Sequence, residues 1–528
     1  MDKALEMGKT SATGSVQMLV GVAGSTVIMA IGSIILANLM SNADYGLYGK
    51  VLIPLTTINL FRDWGVNSAM TKYIAGLRVS HREEEIRDIV AAGVIFEFAS
   101  GLILSFVSLF LAGVIASSIL TSSSTIFLEI ISVSIISSSL LVASQAGFVG
   151  FERMELNSFT LICQAVVKTL IGPVLVLLGY SVLGAVVGYT FSFVAAAVIG
   201  LATFYFVLFR PLRKRAKSGS SIIGALKKML NYGLPLSVYS ILTGILAQVY
   251  LFMVAPLTSN ATYGSFQTAM NFGVLLTFVS VPISTVLFPA FAKLDPQNED
   301  GLLRTVFSSS VKYSSILLVP ATMALMALSG PIIGTLYGVK YVYGPFFLTL
   351  YVIANLFVVI GNLSSGGFLT GLGETRILMF QSLVTIVVGL PLGLLLIPLF
   401  GITGLLVSSV LAGIPGMVWV LHWIWKRYGA RADFRSSAKI CVASAVAAVV
   451  AYLPAVYLNA ANWIRLVIGL FIFLAVYVLG APLIGAVSTT DLSTLRTMFS
   501  GLGFISRILD VPLSAAEKAA RMRLWKRE

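Results

Sequence analysis

The six residues SNADYG at positions 41–46 recur as SNATYG at positions 259–264, an offset of 218 residues. Two further pairs of segments match at nearly the same spacing. They are GFVGFE at 147–152 with GFLTGL at 367–372, and YSVLGAVVG at 180–188 with GITGLLVS at 401–408. Three matches at one offset indicate an internal duplication. Many membrane transporters are built from such repeats, with the substrate site at the repeat interface near the midplane of the bilayer.

Long apolar segments surround the repeated motifs. A helix needs about 20 mostly apolar residues to cross a bilayer, and fourteen stretches of the chain meet this requirement. They predict an all-α membrane protein of about 14 transmembrane helices, with two six-helix bundles related by the repeat and two C-terminal helices. The stretches are 16–39, 49–75, 89–116, 125–149, 158–180, 182–209, 229–255, 263–292, 306–328, 346–371, 376–399, 401–425, 438–458 and 463–487.

The order of these stretches predicts five segments of the chain. An N-terminal six-helix bundle occupies residues 1–209, and a second bundle occupies residues 229–425. The linker between them, 210–228, carries seven basic residues and no acidic one. Two additional helices occupy residues 426–487. An amphipathic, basic tail follows at 488–528.

The tail also contains a pattern that predicts where one of its helices begins. Ser514 is followed three residues later by Glu517, the spacing of a capping box. The sequence therefore predicts a short second tail helix that opens at Ser514. Since the tail is basic and amphipathic, we expect it to lie on the inner leaflet; the alternative is a frayed basic terminus.

Composition excludes several classes of protein. Of the 528 residues, 58% are hydrophobic and only 11% are charged, and the mean hydropathy is +0.96. Soluble domains carry about 25% charged residues, so a soluble enzyme and a nucleic-acid-binding domain are both excluded. The two cysteines form no disulfide or metal-binding pattern. The chain has no phosphate-binding loop of the form G-x-x-x-x-G-K-[ST], and we expect no cofactor and no metal.

The net charge of +14 is unevenly distributed along the chain. Lys and Arg concentrate in every second predicted loop, beginning with the N-terminus, whereas the opposite loops hold almost none. Cytoplasmic loops of membrane proteins carry this excess of basic residues. The pattern predicts a multi-pass protein of the cell membrane with both termini in the cytoplasm, and it makes the lipid bilayer the main partner.

Five motifs, in order along most of the chain, resemble those of the polysaccharide biosynthesis flippases. These proteins belong to the multidrug/oligosaccharidyl-lipid/polysaccharide (MOP) exporter superfamily. The motifs are DYG at 44–46, RDWGVNSAMTKYIA at 62–75, NYGLPLSVYS at 231–240, FLTGLGETR at 368–376 and LLIPLFGITGLLVSSVL at 395–411. The resemblance implies two six-helix bundles that move sugars linked to polyprenyl or dolichyl phosphate across a membrane by alternating access. It implies a transporter and not an enzyme, with the glycan assembly machinery as a partner.

Four ionisable residues lie deep inside predicted spans. Arg62 and Asp63 lie at the centre of span two, Lys168 at the centre of span five, and Glu97 about a third of the way into span three. A charge at the bilayer centre costs about 2.5–3.5 kcal/mol on insertion scales, so it usually has a function.

The charges of these four residues predict two roles. We expect Arg62 and Lys168, at matching depth, to bind the phosphate of the lipid-linked sugar. Asp63 and Glu97 are candidates for a coupling proton or sodium ion. The alternative is a buried ion pair that only holds the bundle together, such as Lys168 with Asp63 or Glu97.

Other activities are less compatible with the sequence. A cation-coupled multidrug exporter of the same superfamily typically has an acidic residue in span one or span seven, and segments 16–39 and 229–255 contain none. A membrane sugar polymerase or ligase usually needs a large outer loop with charged residues, and the predicted outer loops are short and nearly uncharged. A flippase for a bare phospholipid or a peptidoglycan precursor stays open as an alternative.

Overall fold

The computed structural model describes residues 2–80, 82–120, 124–215, 221–294, 299–499 and 504–525. Within these ranges the chain is almost entirely helical and forms no strand. It divides into two compact units, Met1–Gly264 and Ser265–Glu528. The all-α membrane fold predicted from the apolar stretches is therefore confirmed.

Among its described residues, the first unit contains nine helices and the start of a tenth. Two short π-helical turns, Val176–Tyr180 and Tyr205–Phe209, follow α6 and α7. The helices are α1 (Asp2–Leu39), α2 (Asn42–Arg62), α3 (Val66–Val79), α4 (Glu83–Ile119), α5 (Thr125–Gly150), α6 (Met154–Leu175), α7 (Ser181–Phe204), α8 (Arg210–Arg215), α9 (Ile222–Leu257) and α10 (Asn260–Ala292), of which α10 continues into the second unit.

The second unit contains the remaining helices. A 3₁₀ segment, Ile353–Ile360, follows α13. The helices are α11 (Asp300–Ala327), α12 (Ser329–Leu336), α13 (Gly344–Val352), α14 (Asn362–Gly371), α15 (Thr375–Phe400), α16 (Ile402–Tyr428), α17 (Phe434–Tyr457), α18 (Asn462–Leu483), α19 (Thr489–Phe499) and α20 (Phe504–Trp525).

Ten helical stretches of the described residues are long and apolar enough to cross a membrane, or eleven if one bent pair counts as a span. The chain is thus a multi-span membrane protein, while the count of fourteen stays a prediction. One of the ten stretches, Met154–Leu212, covers two predicted spans. Its backbone leaves the helical region at Gly179 (φ +96°) and Ser181 (φ +39°), and α6 packs along α7.

The bent pair corresponds to the predicted stretch 346–371. Its two parts, Gly344–Ile360 and Asn362–Gly371, meet at an angle of 58°. The bend occurs at Gly361, which has a φ of +102°. A residue with a side chain rarely adopts this left-handed conformation, whereas glycine does so readily.

The two copies of the repeated motif contact each other within the first unit. A Cβ atom on Gly46 would lie 1.8 Å from the carbonyl oxygen of Asn260, and one on Gly264 would lie 2.2 Å from that of Asn42. The two contacts are reciprocal, because the offset that relates Asn42 to Asn260 also relates Gly46 to Gly264. The final glycine of each copy is therefore required for close packing of the two helix starts.

The tail differs from its sequence-based prediction at one point. Helix α20 begins at Phe504, ten residues before Ser514, so the prediction of a helix start at Ser514 is wrong. The two residues of the capping-box pattern have other contacts: Arg496 donates to Ser514 Oγ at 3.1 Å, and Glu517 pairs with Arg521 at 2.6 Å. The side chains of Ser514 and Glu517 therefore contact Arg496 and Arg521 where the sequence pattern predicted that they would cap a helix.

Candidate functional site

The second predicted span is broken where its charged residues lie. Helix α2 ends at Arg62, and α3 begins at Val66. Trp64 and Gly65 between them have positive φ values of 50° and 74°. Gly65 also lies against another backbone, since a Cβ atom there would be 2.1 Å from the carbonyl oxygen of Gly233 in α9. The apolar stretch 49–75 predicted one continuous helix here, so the break was not expected from the sequence.

Asp63 stabilises the start of the second helix. Its Oδ1 atom accepts hydrogen bonds from the backbone N–H of Asn67 at 3.0 Å and from the side-chain amide of Asn67 at 2.8 Å. A carboxylate in this position satisfies a backbone donor that the first turn of a helix leaves free. Asp63 is therefore held by the backbone geometry of the break.

Arg62 points into the protein and is only 6% exposed. One guanidinium nitrogen, Nη1, donates to Asn59 Oδ1 at 3.0 Å and to Ser138 Oγ of α5 at 2.8 Å. On its other side, Nε lies 3.5 Å from Glu97 Oε2 of α4. The arginine thus connects three helices through one buried group.

Asn67 joins the two carboxylates of this cluster. Its side-chain amide lies 2.7 Å from Glu97 Oε1, in addition to its contact with Asp63. Glu97 is fully buried and Asn67 is 6% exposed. We refer to Asn59, Arg62, Asp63, Asn67, Glu97 and Ser138 as the Arg62 network.

The network is incompletely hydrogen-bonded. Within the described part of the chain, Arg62 Nε, Asn67 Oδ1 and Glu97 Oε2 are buried side-chain atoms that make no hydrogen bond, although Arg62 Nε and Glu97 Oε2 face each other as an ion pair at 3.5 Å. Buried polar atoms are usually satisfied, and exceptions can mark a place where a water molecule or an ion binds. The unsatisfied acceptor of Asn67 and the ion pair without a hydrogen bond leave the cluster able to accept a further polar group.

Lys168 lies outside the network. Its ammonium group sits 4.8 Å from the centre of the Tyr189 ring, and the Tyr189 ring lies 6.5 Å from that of Tyr48. Among the residues that the structure describes, Lys168 forms no ion pair, so the expected alternative pairs with Asp63 or Glu97 are absent there. The buried ion pair forms instead between Arg62 and Glu97.

The expectation that Arg62 and Lys168 lie at matching depth stays a prediction. The Tyr189 ring beside Lys168 lies 6.5 Å from the ring of Tyr48, which precedes Arg62 by fourteen residues on α2. A helix rises about 1.5 Å per residue, so Tyr48 and Arg62 are about 21 Å apart along α2. The aromatic contacts of Lys168 therefore lead to a part of α2 away from the Arg62 network.

Three members of the network were not identified as candidates from the sequence. Asn59 precedes Arg62 by three residues, and Asn67 follows Asp63 by four, which are spacings that place side chains on one helix face. That pattern was available as a signal, although the break between the helices limits its use. Ser138 had no distinguishing signal, because α5 contains many serines.

A second polar contact joins α2 to α9. The hydroxyls of Thr56 and Thr57 lie 3.1 and 2.9 Å from Gln248 Oε1. This amide therefore connects two helices, which is the common role of amides within membrane bundles. Within the described part of the chain, no group of three or more His, Cys, Asp or Glu side chains could hold a metal ion.

Comparison with known families identifies the family of the chain. The family described as "Polysaccharide biosynthesis protein" matches residues 35–343. The chain belongs to this polysaccharide biosynthesis protein family. The matched range includes the first copy of the repeat, the second copy and the whole Arg62 network, and it confirms the resemblance seen in the motifs.

One curated relative of this family member carries a functional name. The "Probable low-salt glycan biosynthesis flippase Agl15" of Haloferax volcanii is 23% identical over 259 residues, which are 48% of this chain and 53% of the relative. The chain thus matches about half the length of that curated relative.

Solved structures show the same fold. The lipid II flippase MurJ in an inward closed conformation aligns with a TM-score of 0.69 at 15% identity, covering 87% of this chain and 98% of MurJ. An inward-facing multidrug resistance MATE transporter of the MOP superfamily aligns with a TM-score of 0.61 at 15% identity, covering 78% and 98% of the two chains. At this identity the likeness concerns the fold alone.

Proposed function

We propose that the protein is a flippase that moves lipid-linked oligosaccharide or polysaccharide precursors, carried on a polyprenyl or dolichyl phosphate, across the cytoplasmic membrane by alternating access. The observation that carries the proposal is the Arg62 network, a buried arginine at a helix break with polar atoms left unsatisfied. Family membership and the name of the Haloferax relative support the same activity.

Arg62 is the proposed phosphate ligand. The guanidinium group presents several N–H donors in a planar fork that matches the oxygens of a phosphate. Among the described residues, Arg62 donates from Nη1 to Asn59 and Ser138, while Nε faces Glu97 at 3.5 Å. A phosphate approaching on the Nε side would compete with Glu97 for the arginine.

This competition assigns a role to the acidic residues. A buried carboxylate without a counter-ion is costly, and protonation removes its charge. If the phosphate takes Arg62, Glu97 takes up a proton and releases it when the phosphate leaves. Asp63 contributes to the same coupling site through Asn67, which hydrogen-bonds both carboxylates.

Lys168 is the second proposed substrate ligand, outside the Arg62 network. Its ammonium group lies beside the Tyr189 ring, and among the described residues it forms no ion pair with a carboxylate. A phosphate released from Arg62 would meet this cation next. The proposal includes both termini in the cytoplasm and a glycan assembly machinery as partner.

The second candidate is a cation-coupled multidrug exporter. The observation that favours it is the pair of buried acids, Asp63 and Glu97, joined through one amide. Reconstitution separates the two candidates. One set of proteoliposomes contains a fluorescent short-chain polyprenyl diphosphate sugar, and the readout is the loss of label from the inner leaflet. A second set contains a cationic dye, and the readout is transport of the dye.

We expect the purified protein to accelerate translocation of the lipid-linked sugar well above protein-free liposomes, and not to move the dye. Arg62→Ala should abolish translocation, and Arg62→Lys should restore part of it because a point charge replaces the fork. Dye transport without lipid translocation by folded protein would support the exporter and refute the flippase.

A further inference from the structure

A second group of cations lies on the continuation of the broken span. Lys72 and Tyr73 belong to α3, and Lys228 and Tyr232 belong to α9. The ammonium group of Lys72 lies 3.7 Å from the centre of the Tyr232 ring, and that of Lys228 lies 4.7 Å from the centre of the Tyr73 ring. We refer to these four residues as the lysine–tyrosine cluster.

The cluster is reciprocal. Each helix provides one lysine and one tyrosine, and each lysine rests on the tyrosine of the other helix. The two rings meet edge to face, with centres 6.0 Å apart. Both ammonium groups lie within 6 Å of the Tyr73 ring, at 5.9 Å and 4.7 Å. Aromatic faces attract cations and restrict where they sit, so the lysines are held in place before any ligand arrives.

The rings are anchored while the charges stay accessible. Tyr73 and Tyr232 pack against a hydrophobic core that includes Met70, Ile74 and Met229. Lys72 and Lys228 are both exposed. In the ranges that the structure describes, neither lysine forms an ion pair with an acidic residue, so the cluster presents two uncompensated positive charges on a rigid base.

This arrangement differs from that of nearby basic residues. Arg78, also on α3, is neutralised by Glu152 at 3.2 Å. Lys227 precedes Lys228 in the same turn and is also exposed, but it contacts no aromatic ring among the described residues. Tyrosines are common at membrane interfaces and lysines in cytoplasmic loops, and these four residues in addition contact one another across two helices.

We propose that the lysine–tyrosine cluster is a loading site for the diphosphate headgroup of a membrane-embedded polyprenyl lipid. A diphosphate offers adjacent anionic groups, which two fixed ammonium groups bind as point charges. Lys72 follows Arg62 by ten residues, on the face that the charge pattern predicts to be cytoplasmic. A headgroup entering from that leaflet would contact the cluster first and Arg62 afterwards. The inference rests on the proposed flippase function and deepens it.

The test measures binding in detergent micelles, where no translocation is needed. The probe is a short-chain polyprenyl diphosphate, compared with inorganic diphosphate and with phosphatidylglycerol. We expect the double variant Lys72→Gln/Lys228→Gln to weaken binding of the polyprenyl diphosphate at least tenfold. The matched control, Lys227→Gln, removes the same charge from the same turn and should change the affinity less than twofold.

Two further variants test whether binding depends on the charge of the two lysines or on their position over the tyrosine rings. Replacing both lysines by arginine keeps the charges and should preserve binding. This variant still tests the role of the charges if the glutamine variant folds poorly. Tyr232→Leu removes the ring under Lys72 and should weaken binding several-fold without changing the net charge. Because surface charges are screened by salt, the difference between wild type and the glutamine variant should shrink at high ionic strength.

Several results would overturn the inference. They are unchanged affinity in the double glutamine variant, an equal loss in Lys227→Gln, or displacement of the probe by an equal concentration of phosphatidylglycerol, which would indicate a general anionic-lipid surface. Equal binding of inorganic diphosphate would mean that the cluster binds free anions and not a lipid.

Translocation assays distinguish failure of the loading site from failure of the proposed flippase function. The double glutamine variant should be slow at low substrate and recover at saturating substrate, whereas Arg62→Ala should stay inactive at both. If the wild type binds the probe through the lysines yet moves no lipid, the flippase function fails and the site stands. If the glutamine variant translocates normally at low substrate, the site fails and the function stands.

Discussion

The buried ion pair between Arg62 and Glu97 makes a strong prediction about stability. The perturbation is Arg62→Ala, alone and together with Glu97→Gln. In the single variant a fully buried carboxylate loses its counter-ion, while in the double variant a neutral amide of the same shape replaces that carboxylate. The double variant should therefore be more stable than Arg62→Ala alone.

The expected loss of stability follows from the burial of the two side chains and the distance between them. The side chains of Arg62 and Glu97 are 7% and 0% exposed, and their closest charged atoms are 3.5 Å apart. Removing one partner of a buried pair costs about 3–5 kcal/mol. Because the residues share one network, their effects are not additive, and interaction energies of about 0.5–3 kcal/mol are usual for such neighbours. We expect a coupling of about 2 kcal/mol.

The assay is a double-mutant cycle of unfolding in mixed micelles, run for wild type, both single variants and the double variant. The chain offers a matched control in Arg78 and Glu152, which form an ion pair at 3.2 Å with side chains 38% and 58% exposed. Exposed pairs contribute about 0–1 kcal/mol, so the control cycle should give a coupling well below that of the buried pair.

Translocation by the same four proteins separates a structural arginine from a substrate ligand. If Arg62 binds phosphate, the stabilised double variant folds but moves no lipid even down a lipid gradient, whereas Glu97→Gln alone, which loses the proposed coupling carboxylate but keeps the arginine, still does. If Arg62 only compensates Glu97, the double variant recovers both folding and translocation. A coupling below about 0.5 kcal/mol, with Arg62→Ala as stable as wild type, would refute the buried pair and the argument built on it.

Three further predictions concern other contacts. Gly46→Ala places a Cβ atom 1.8 Å from a carbonyl oxygen of the second motif copy and should cost about 1–3 kcal/mol, whereas Gly76→Ala, with nothing within 4 Å, should not lower the melting temperature in detergent. Lys312→Gln removes the partner of the buried Asp491 at 2.6 Å and should speed limited proteolysis of the tail while the remaining helices resist. Asp433 caps α17, and its hydrogen bond from the Ser436 hydroxyl holds its pKa below the ordinary value of 3.8. Asp433→Ala should lower the free energy of unfolding by about 1 kcal/mol at neutral pH. Melting curves should show this difference from the wild type shrinking once the pH falls below about 3.8.

Several properties of the chain were readable from its sequence. Apolar content is a sum over residues, so the membrane-spanning, all-helical character follows from composition and segment length. The repeated motif at 41–46 and 259–264, with the other motifs, predicted the family. The same local reasoning failed at Ser514, where a cap pattern of four residues competes with contacts from another helix.

The sequence by itself predicted that Arg62, Asp63, Glu97 and Lys168 lie inside membrane spans, because each sits within a long apolar stretch. Only the tertiary structure decided which of them meet. Arg62 joins Glu97, 35 positions away, while Lys168 lies against Tyr189. Such pairings depend on the rotation, tilt and breaks of several helices, and a shift of one residue turns a helical side chain by about 100°. Hydrophobicity is a property of each segment alone, whereas an ion pair depends on how two segments are placed.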